Sequence, residues 1–526
     1  MPFQDRSGRL TGAVSSAMTT PLFRLSSVSF PKNLYGLAVA GLFFLIITVF
    51  VPFGRVFEFD IDEGLYLMRA YMHLKGYALY REVWMDHPPV LVLMLSWVFK
   101  LFGPSVQAAR LLMLSFSALL LWAVYQIVSR TYDHAAALLA VILVAVSVWY
   151  VSLSVAVMGS VPAVALSALA LYGVVLYRAN LERKYLVFSG AVFALAVLTK
   201  FFSLIYLFPM LIGILRAKRV TVAGRNMAEA ARYPGFLWFA AFFAAFLLVS
   251  FGFCSVNYLQ ILKPYLASYG AQGHHWQSLA AWLAEEYDVA LLAAGVLLFS
   301  AREDREKLWM PAAGVAAGLV VFSLHSPIWY HHRLYFVVPL CWLASSAGYI
   351  MLATSKQYWR RDLRELDAKI ILPGVFLCGA LVLSAARLPV KVAAIPGLLA
   401  GHAQPEYPGL MSLMKKYRGQ AGMVVTDRPV FPFYADLPVH PFLVSSSMKR
   451  LKTGLLTPGD FIRIIMEERP GMVLFARYRW FDETISPYLG GYRRYTETTS
   501  DFPVLYILET PVNPVPRRRY LRQGSS

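Results

Sequence analysis

The sequence contains few charged residues for its length. Only 15% of its 526 residues are charged, whereas 58% are hydrophobic and the mean hydropathy is +0.55. This composition excludes an ordinary soluble globular protein. Apolar runs that approach the roughly twenty residues needed to cross a bilayer recur along the chain. The sequence therefore predicts a polytopic α-helical membrane protein.

Cysteine is also scarce, and a cleavable signal peptide is missing. Cys254, Cys341 and Cys378 lie in apolar segments, and their spacing fits no metal-binding or disulfide pattern, so we expect small core residues. The first apolar run, residues 34–53, follows a long basic stretch, and no small-residue cleavage site comes after it. We therefore expect residues 1–33 to be a cytoplasmic leader.

Acidic residues are outnumbered by basic ones, which gives a net charge of +19. The basic residues concentrate in short segments between apolar runs, a pattern typical of membrane orientation rather than of nucleic-acid binding. With a cytoplasmic N-terminus, the basic clusters at 178–184, 216–232, 302–307 and 356–364 all fall on the cytoplasmic side. We predict a multi-pass protein of the plasma (inner) membrane with no nucleic-acid partner.

This orientation requires about eleven spans and one apolar segment, residues 88–102, that does not cross. That segment is short and carries Lys100 near its end, so we expect an interfacial or re-entrant helix. The chain beyond residue 387 mixes strand-like and helical patterns, which predicts a separate small extracytoplasmic α/β domain with a basic tail over residues 387–526. The expected spans lie near residues 34–53, 105–128, 135–152, 160–177, 185–199, 201–215, 235–254, 287–300, 309–325, 333–352 and 370–386.

The first outer loop, residues 54–104, is the richest in polar side chains. Three carboxylates, Asp60, Asp62 and Glu63, crowd its beginning, and "DHPP" follows. Asp62 and Glu63 stand at the start of a helical pattern, where acidic residues cap helices. Capping is one interpretation of this pair, and a catalytic site is the other.

The motifs from this loop onward resemble the GT-C glycosyltransferases, in particular the protein O-mannosyltransferase and aminoarabinose-transferase-like branch. They are a hydrophobic span, "DE" followed by a tyrosine, "HPP" with a leucine-rich helix, "LFG" and "AARLL". "LTKFF" at 198–202 and "YHHRLYFVVPL" at 330–340 are similar to later family segments. The resemblance covers most of residues 34–350, which would form a GT-C catalytic domain over 34–386.

The resemblance implies transfer of a sugar from a polyprenyl-phosphate carrier to a protein, lipid or glycan acceptor on the non-cytoplasmic face, with inversion. Asp62 aligns with the loop aspartate that serves such enzymes as base, with Glu63 beside it. A base is needed because an acceptor hydroxyl attacks poorly until a carboxylate takes or orients its proton. We expect Arg110, in "AARLL", to be structural and to pair with a loop carboxylate.

The leaving lipid phosphate requires cations. His87, where relatives often carry lysine before "PP", and Lys200, His332 and Arg333 are the candidates. Snorkelling to the interface is the alternative for Lys200, and a plain turn residue is the alternative for His87. The further candidates for contact with the sugar or the lipid phosphate are Tyr66, Asp86, His274, His275 and Trp276.

A second carboxylate, which relatives often place in the next outer loop, is missing. Residues 154–166 contain none, and Ser160 occupies roughly the expected place. A two-carboxylate metal site is therefore disfavoured, and we expect a metal-independent mechanism without a cofactor.

Two other functions remain open. A transporter or flippase of polyprenyl lipids would carry ionisable residues inside spans and broken helices in corresponding halves, but the spans are nearly free of carboxylates and no internal repeat stands out. An inactive GT-C relative that binds or assembles partners is the other, because the second carboxylate is missing.

Overall fold

The structure is a computed structural model that describes residues 32–217, 227–268, 275–300, 304–325, 328–358, 368–403, 406–497 and 501–509. Most of the predicted leader, the basic tail and His274 lie outside these residues. The side chains of His275 and Trp276 also lie outside the described part, although their backbone belongs to a helix.

The first half of the described chain is helical. The first loop, residues 54–104, separates the first helix from the long helix that begins at Val106. Its helices are α1 Lys32–Phe50, α2 Glu63–Leu74, α3 Val90–Phe102, α4 Val106–Thr131, α5 His134–Ala145, α6 Tyr150–Val155, α7 Ser160–Asn180, α8 Arg183–Val197 and α9 Leu207–Arg216. The helices that follow are α10 Met227–Leu247, α11 Tyr258–Ser268, α12 His275–Glu285, α13 Tyr287–Phe299, α14 Arg305–Leu324, α15 Leu334–Tyr358 and α16 Ala368–His402.

Six apolar helical segments of the described chain are long enough to cross a membrane. They are Val106–Thr131, Ser160–Asn180, Tyr233–Phe253, Arg305–Leu324, Tyr330–Met351 and Ile371–Gly401. Five shorter apolar helices accompany them, so the count of eleven spans stays a prediction. Large apolar side chains such as Phe236 and Leu372 are exposed on α10 and α16, which fits helices that face lipid.

The helix α3 matches the segment that we expected not to cross. Its 13 residues extend about 20 Å, which is less than the ~30 Å hydrocarbon core. Leu91, Leu95 and Phe99 are fully buried on its inner face, whereas Trp97 and Leu101 are exposed. Such an amphipathic helix fits the interface between protein and lipid better than a bilayer crossing.

Two span boundaries differ from the sequence prediction. The helix predicted over 135–152 ends at Ala145, and a turn with Trp149 at φ +74° separates it from α6. The last span, predicted to end at 386, continues as α16 to His402. Pro389 and Pro396 do not end the helix, although prolines inside helices usually do so.

An ion cluster explains why α16 continues. Lys391, which the sequence analysis places in the outer domain, lies on α16 and is buried. Its Nζ lies 2.7 Å from Glu286 and 2.9 Å from Asp288, both at the start of α13. Burying this lysine requires both partners, so the cluster fixes α16 against α13.

The three cysteines differ in their surroundings. Cys341 is buried as expected, but Cys254 is half-buried and Cys378 is exposed on α16. The expectation of three core cysteines is therefore wrong for Cys378. An exposed thiol is compatible with a lipid-facing helix because it behaves as a small apolar group.

The C-terminal segment folds around a four-stranded mixed sheet of order β1-β2-β4-β3. β1 and β2 are parallel, β4 is antiparallel to β2 and β3, and Val473 pairs with Tyr506 in the register of the two central strands. The elements are α17 Pro408–Lys416, α18 Arg418–Ala421, β1 Val424–Thr426, α19 Val430–Tyr434, α20 Met448–Lys452, α21 Pro458–Glu468, β2 Met472–Phe475, α22 Arg479–Ile485, β3 Tyr492–Thr496 and β4 Val504–Leu508.

This C-terminal segment packs directly on the first loop and does not stand apart from it. Arg428 Nη2 donates to Glu58 Oε2 at 2.9 Å, and Tyr434 Oη donates to the carbonyl of Phe57 at 2.8 Å. The apolar side chains of the two regions also form one buried cluster. The first loop is thereby held between the membrane helices and the sheet.

Candidate active site

The first loop is anchored by a buried ion pair between Glu63 and Arg110. Arg110 donates from Nη2 at 2.7 Å and from Nε at 2.9 Å to the two carboxylate oxygens. The backbone N–H groups of Phe59 and Val157 donate to the same carboxylate. Glu63 is fully buried and its acceptor positions are occupied. This geometry makes Glu63 a positioning residue, and the structural interpretation of Arg110 agrees with it.

The neighbouring carboxylates are arranged differently. Asp60 accepts hydrogen bonds from the backbone of Asp62 at 2.8 Å and from Tyr330 Oη at 2.5 Å. Burial and, to a smaller extent, the charge of Asp62 raise the pKa of Asp60 to about 6. The Asp62 carboxylate is half-buried, and no described side chain donates a hydrogen bond to it. Asp62 is therefore available to a substrate, whereas Asp60 is bound on both oxygens.

Lys200 lies within electrostatic reach of Asp60 and Asp62. Lys200 follows α8, is 6% exposed, and donates from Nζ to Ser160 Oγ at 2.9 Å. Burial lowers the pKa of Lys200 to about 7, and the charge of Asp62 opposes this shift. A Cβ placed on Gly159 would lie 3.4 Å from Tyr66 Oη and 3.8 Å from Lys200 Cδ. The second loop therefore meets α2 and Lys200 at one point.

His87 and Asp86 lie on the same side of the candidate site as Lys200. Asp86 accepts from Arg69 Nη2 at 2.5 Å and lies 2.7 Å from Nδ1 of His87. Burial opposes ionisation of Asp86, but His87 and Arg69 hold the pKa of that carboxyl well below its usual value. Burial lowers the pKa of His87, Asp86 opposes this shift, and the positive charges of Arg69 and Lys200 add to it. The ring of Tyr66 packs edge-on against His87 at 5.5 Å.

Arg333 and His332 have partners within the described part of the chain, and His332 lies beside Phe202, two residues after Lys200. Arg333 forms an ion pair with Glu285 at 2.5 Å and lies over the ring of Trp282. His332 is buried, packs on Phe202 at 4.3 Å between ring centroids, and accepts a hydrogen bond at Nδ1. The structure therefore gathers five predicted residues on one side: Asp62, Tyr66, Asp86, His87 and Lys200. It does not bring Arg333 to them.

One cation of the site was missed by sequence reasoning. Lys449, on the short helix α20 of the C-terminal segment, lies within electrostatic reach of Asp86 and Asp62. Burial lowers the pKa of Lys449, and these two carboxylates oppose the shift. The next residue, Arg450, is buried and stacks 4.0 Å above the ring of Trp84, which fixes α20 on the first loop. The run "MKRLK" gives no signal of this in the sequence.

Comparison with known proteins agrees with the motif resemblance. The profile of a family described as dolichyl-phosphate-mannose-protein mannosyltransferase matches residues 86–249. No curated protein matches the chain significantly by sequence. The fold is similar to that of ArnT from Cupriavidus metallidurans bound to undecaprenyl phosphate, at 14% identity and a TM-score of 0.58, over 92% of this chain and 99% of that one. The chain has the GT-C fold.

A second GT-C structure supports the same conclusion. The archaeal oligosaccharyltransferase AglB from Archaeoglobus fulgidus, in complex with an inhibitory peptide and a dolichol-phosphate, matches at 12% identity with a TM-score of 0.53. The match covers 90% of this chain and 75% of that one. The resemblance to GT-C glycosyltransferases inferred from the motifs is confirmed. Within this GT-C fold, Ser160 and Lys200 lie in the matched region 86–249, whereas Asp62 precedes it.

Proposed function

We propose that the protein transfers a sugar from a polyprenyl-phosphate carrier to an acceptor hydroxyl, without a metal ion. The observation that carries the proposal is the hydrogen bond from Lys200 to Ser160, within electrostatic reach of the available carboxylate of Asp62. The hydroxyl of Ser160 is neutral and does not compensate the cost of burying the lysine charge, so an anionic ligand would stabilise that charge. A phosphate group supplies the countercharge that such a lysine lacks.

Asp62 acts on the acceptor. Its carboxylate takes or orients the proton of the acceptor hydroxyl, so that the oxygen can attack the anomeric carbon. The bond from that carbon to the phosphate oxygen breaks, and the negative charge that develops on the lipid phosphate is stabilised by Lys200. One in-line displacement inverts the configuration at the anomeric carbon. Retention would require a separate nucleophile, and the described residues around Asp62 offer none.

The similar structures support a lipid carrier, and the charge pattern supports a location. ArnT is described in complex with undecaprenyl phosphate and AglB with a dolichol-phosphate, so the fold accommodates polyprenyl phosphates in those proteins. We extend this chemistry to the present chain because its own site offers a lysine for the phosphate. We also propose that the site lies on the non-cytoplasmic face of the plasma (inner) membrane, in agreement with the basic clusters between the apolar segments.

Two predicted residues change their role in this proposal. Glu63 holds the loop through Arg110 and takes no part in proton transfer, because its oxygens are occupied. Arg333 pairs with Glu285 and does not contact the phosphate. His274, His275 and Trp276 remain predicted sugar or lipid contacts.

The test is incorporation of radiolabelled sugar by the purified protein in nanodiscs. Donors would be decaprenyl phosphates carrying mannose, glucose, galactose, arabinose or aminoarabinose, with membrane and cell-wall extracts as the source of acceptors. We expect transfer from at least one donor, and a loss of about 10²-fold or more for Asp62→Asn with unchanged thermal unfolding. Glu483→Gln, which removes an exposed carboxylate, is the matched control.

The outcomes separate the alternatives. Undiminished transfer by Asp62→Asn would remove the base assignment. Donor binding without transfer in any extract would favour an inactive binding protein. Movement of intact donor across the nanodisc or vesicle bilayer, in place of transfer, would favour a flippase.

A further inference from the structure

Three polar side chains, Arg69, Ser445 and Asp86, form a hydrogen-bond network that fixes the position of His87. Arg69 is fully buried and donates from Nε at 3.0 Å and from Nη2 at 2.6 Å to Ser445 Oγ of the C-terminal segment. The same Nη2 donates to Asp86 at 2.5 Å, and Asp86 contacts His87 Nδ1 at 2.7 Å. Ser445 in turn donates to the carbonyl of Trp84.

The order of donors determines which ring nitrogen of His87 carries the proton. Asp86 is ionised because Arg69 is beside it, and a carboxylate only accepts hydrogen bonds. Nδ1 of His87 must therefore donate to Asp86. The other neighbour of Nδ1 is Arg69 Nη1, at 3.3 Å, which is itself a donor and would require an unprotonated Nδ1. The contact of Nδ1 with Asp86 is shorter, at 2.7 Å, and therefore decides that Nδ1 carries the proton. In a neutral imidazole, this arrangement leaves Nε2 as an acceptor.

The acceptor nitrogen is open to the site. The His87 side chain is 18% exposed, and Nε2 has no hydrogen-bond partner among the described residues. Its ring packs against Tyr66, whose hydroxyl lies near Gly159 beside Lys200. The histidine therefore presents an acceptor next to the lysine that would hold the phosphate.

We propose that Nε2 of His87 accepts a hydrogen bond from a hydroxyl group of the transferred sugar, with Asp86 and Arg69 as positioning residues. The inference rests on the proposed function, and it replaces the predicted contact between His87 and the phosphate. Phosphate oxygens in a diester only accept, so they gain nothing from an acceptor nitrogen, whereas a sugar hydroxyl can donate. Because the sugar is joined directly to the phosphate, a donor whose phosphate lies at Lys200 places its sugar within reach of the adjacent ring.

The protonation state can be tested without turnover. Nitrogen-15 NMR of the full chain in nanodiscs, labelled on histidine, would report the tautomer of His87, assigned by its disappearance in His87→Phe. We expect a neutral ring with the proton on Nδ1 at pH 7. A proton on Nε2, or an imidazolium, would overturn the proposal. Asp86→Asn should produce a mixture of tautomers, because an amide can donate as well as accept.

The contact with the sugar can be tested with altered donors. For the sugar found to be transferred, we expect His87→Phe to lower kcat/KM about tenfold, the factor typical of one lost hydrogen bond. A series of donors, each lacking one sugar hydroxyl, identifies the hydroxyl that His87 binds. In His87→Phe, the donor without that hydroxyl should be transferred as well as the complete donor. Binding of bare decaprenyl phosphate should be unchanged. His73→Phe, at the distant end of α2, is the matched control.

The failures of the two proposals are distinguishable. If wild type transfers no sugar, the proposed function fails, and the tautomer measurement still determines the state of His87. If wild type transfers sugar but His87→Phe weakens bare decaprenyl phosphate as strongly as the full donor, the histidine binds phosphate and the present proposal is wrong. Equal loss for every deoxy donor would overturn it as well.

Discussion

Lys200 donates its hydrogen bond to Ser160, at the place where the motif resemblance implies an acidic residue. The Nζ–Oγ distance to Ser160 is 2.9 Å, and the lysine is almost completely buried. A carboxylate at position 160 would pair directly with the lysine, whereas with serine there the favourable charges that act on the lysine are those of Asp62 and Asp60. Under the proposed function, the absence of a carboxylate at position 160 leaves the charge of Lys200 available to the donor phosphate.

Replacing Ser160 should test this directly. In Ser160→Asp, we expect the new carboxylate to form an ion pair with Lys200 and to weaken donor binding roughly tenfold or more, because the phosphate then competes with it. Ser160→Asn has nearly the same shape but no charge and serves as the matched control. The measurement is the KM for the donor and the affinity for bare decaprenyl phosphate. Equal effects of Asp and Asn would mean that shape and not charge matters.

The pH dependence of donor binding should follow the same lysine. Burial lowers the pKa of Lys200 to about 7, so the free protein loses this charge as the pH rises above that value. The donor phosphodiester keeps its charge throughout, and we therefore expect affinity to fall about tenfold per pH unit above pH 7. Lys200→Arg should remove the dependence, because a guanidinium stays charged. Affinity that is constant from pH 6 to 9 in the wild type would contradict this assignment.

The part of the structure that could be predicted from the sequence depends on local patterns. Apolar runs predict the helices, and the short apolar segment 88–102 predicted a short helix, which the structure has as α3. Arg110 was expected to pair with a loop carboxylate, and it pairs with Glu63. These features follow from the period and spacing of neighbouring residues.

The rest depends on contacts between distant parts of the chain. Ser445 lies 376 residues from Arg69, so neither the network behind His87 nor the placement of Lys449 leaves a local signal. The prediction that His87 contacts the phosphate did not consider Asp86, although the hydrogen bond at one ring nitrogen of a histidine determines whether the other donates or accepts. The end of the last helix was placed too early, since Lys391 is acceptable in α16 only through its partners on α13.

The buried pair of Glu63 and Arg110 should be a stability determinant. In Glu63→Gln, the Arg110 charge is left buried without a countercharge, and we expect a loss of about 3–5 kcal/mol in stability. The double variant Glu63→Met, Arg110→Met should recover part of it, because no charge then stays buried. Thermal unfolding in detergent, with Glu483→Gln as the exposed control, measures both. Unchanged unfolding together with lost transfer would instead assign Glu63 a catalytic role.

The contact between Glu58 and Arg428 should make the docking of the C-terminal segment depend on pH. Glu58 is fully buried, and burial raises the pKa of Glu58 from 4.5 to about 7, although Arg428 opposes the shift. The folded state therefore binds a proton that the unfolded state releases between these values. The stabilisation of the folded state by this group is fully present below about pH 4.5 and is lost as the pH rises to about 7.

The comparison with Glu58→Gln isolates this effect from other titrating groups. Asp60 and Asp427 also have pKa values raised by burial, and they contribute a slope of the same sign to both proteins. The wild-type unfolding temperature should therefore fall relative to that of Glu58→Gln between pH 4.5 and 7, and the difference should be constant outside this window. A wild-type temperature that rises relative to Glu58→Gln over the same window would mean that Arg428 outweighs burial and that Glu58 is ionised in the folded protein.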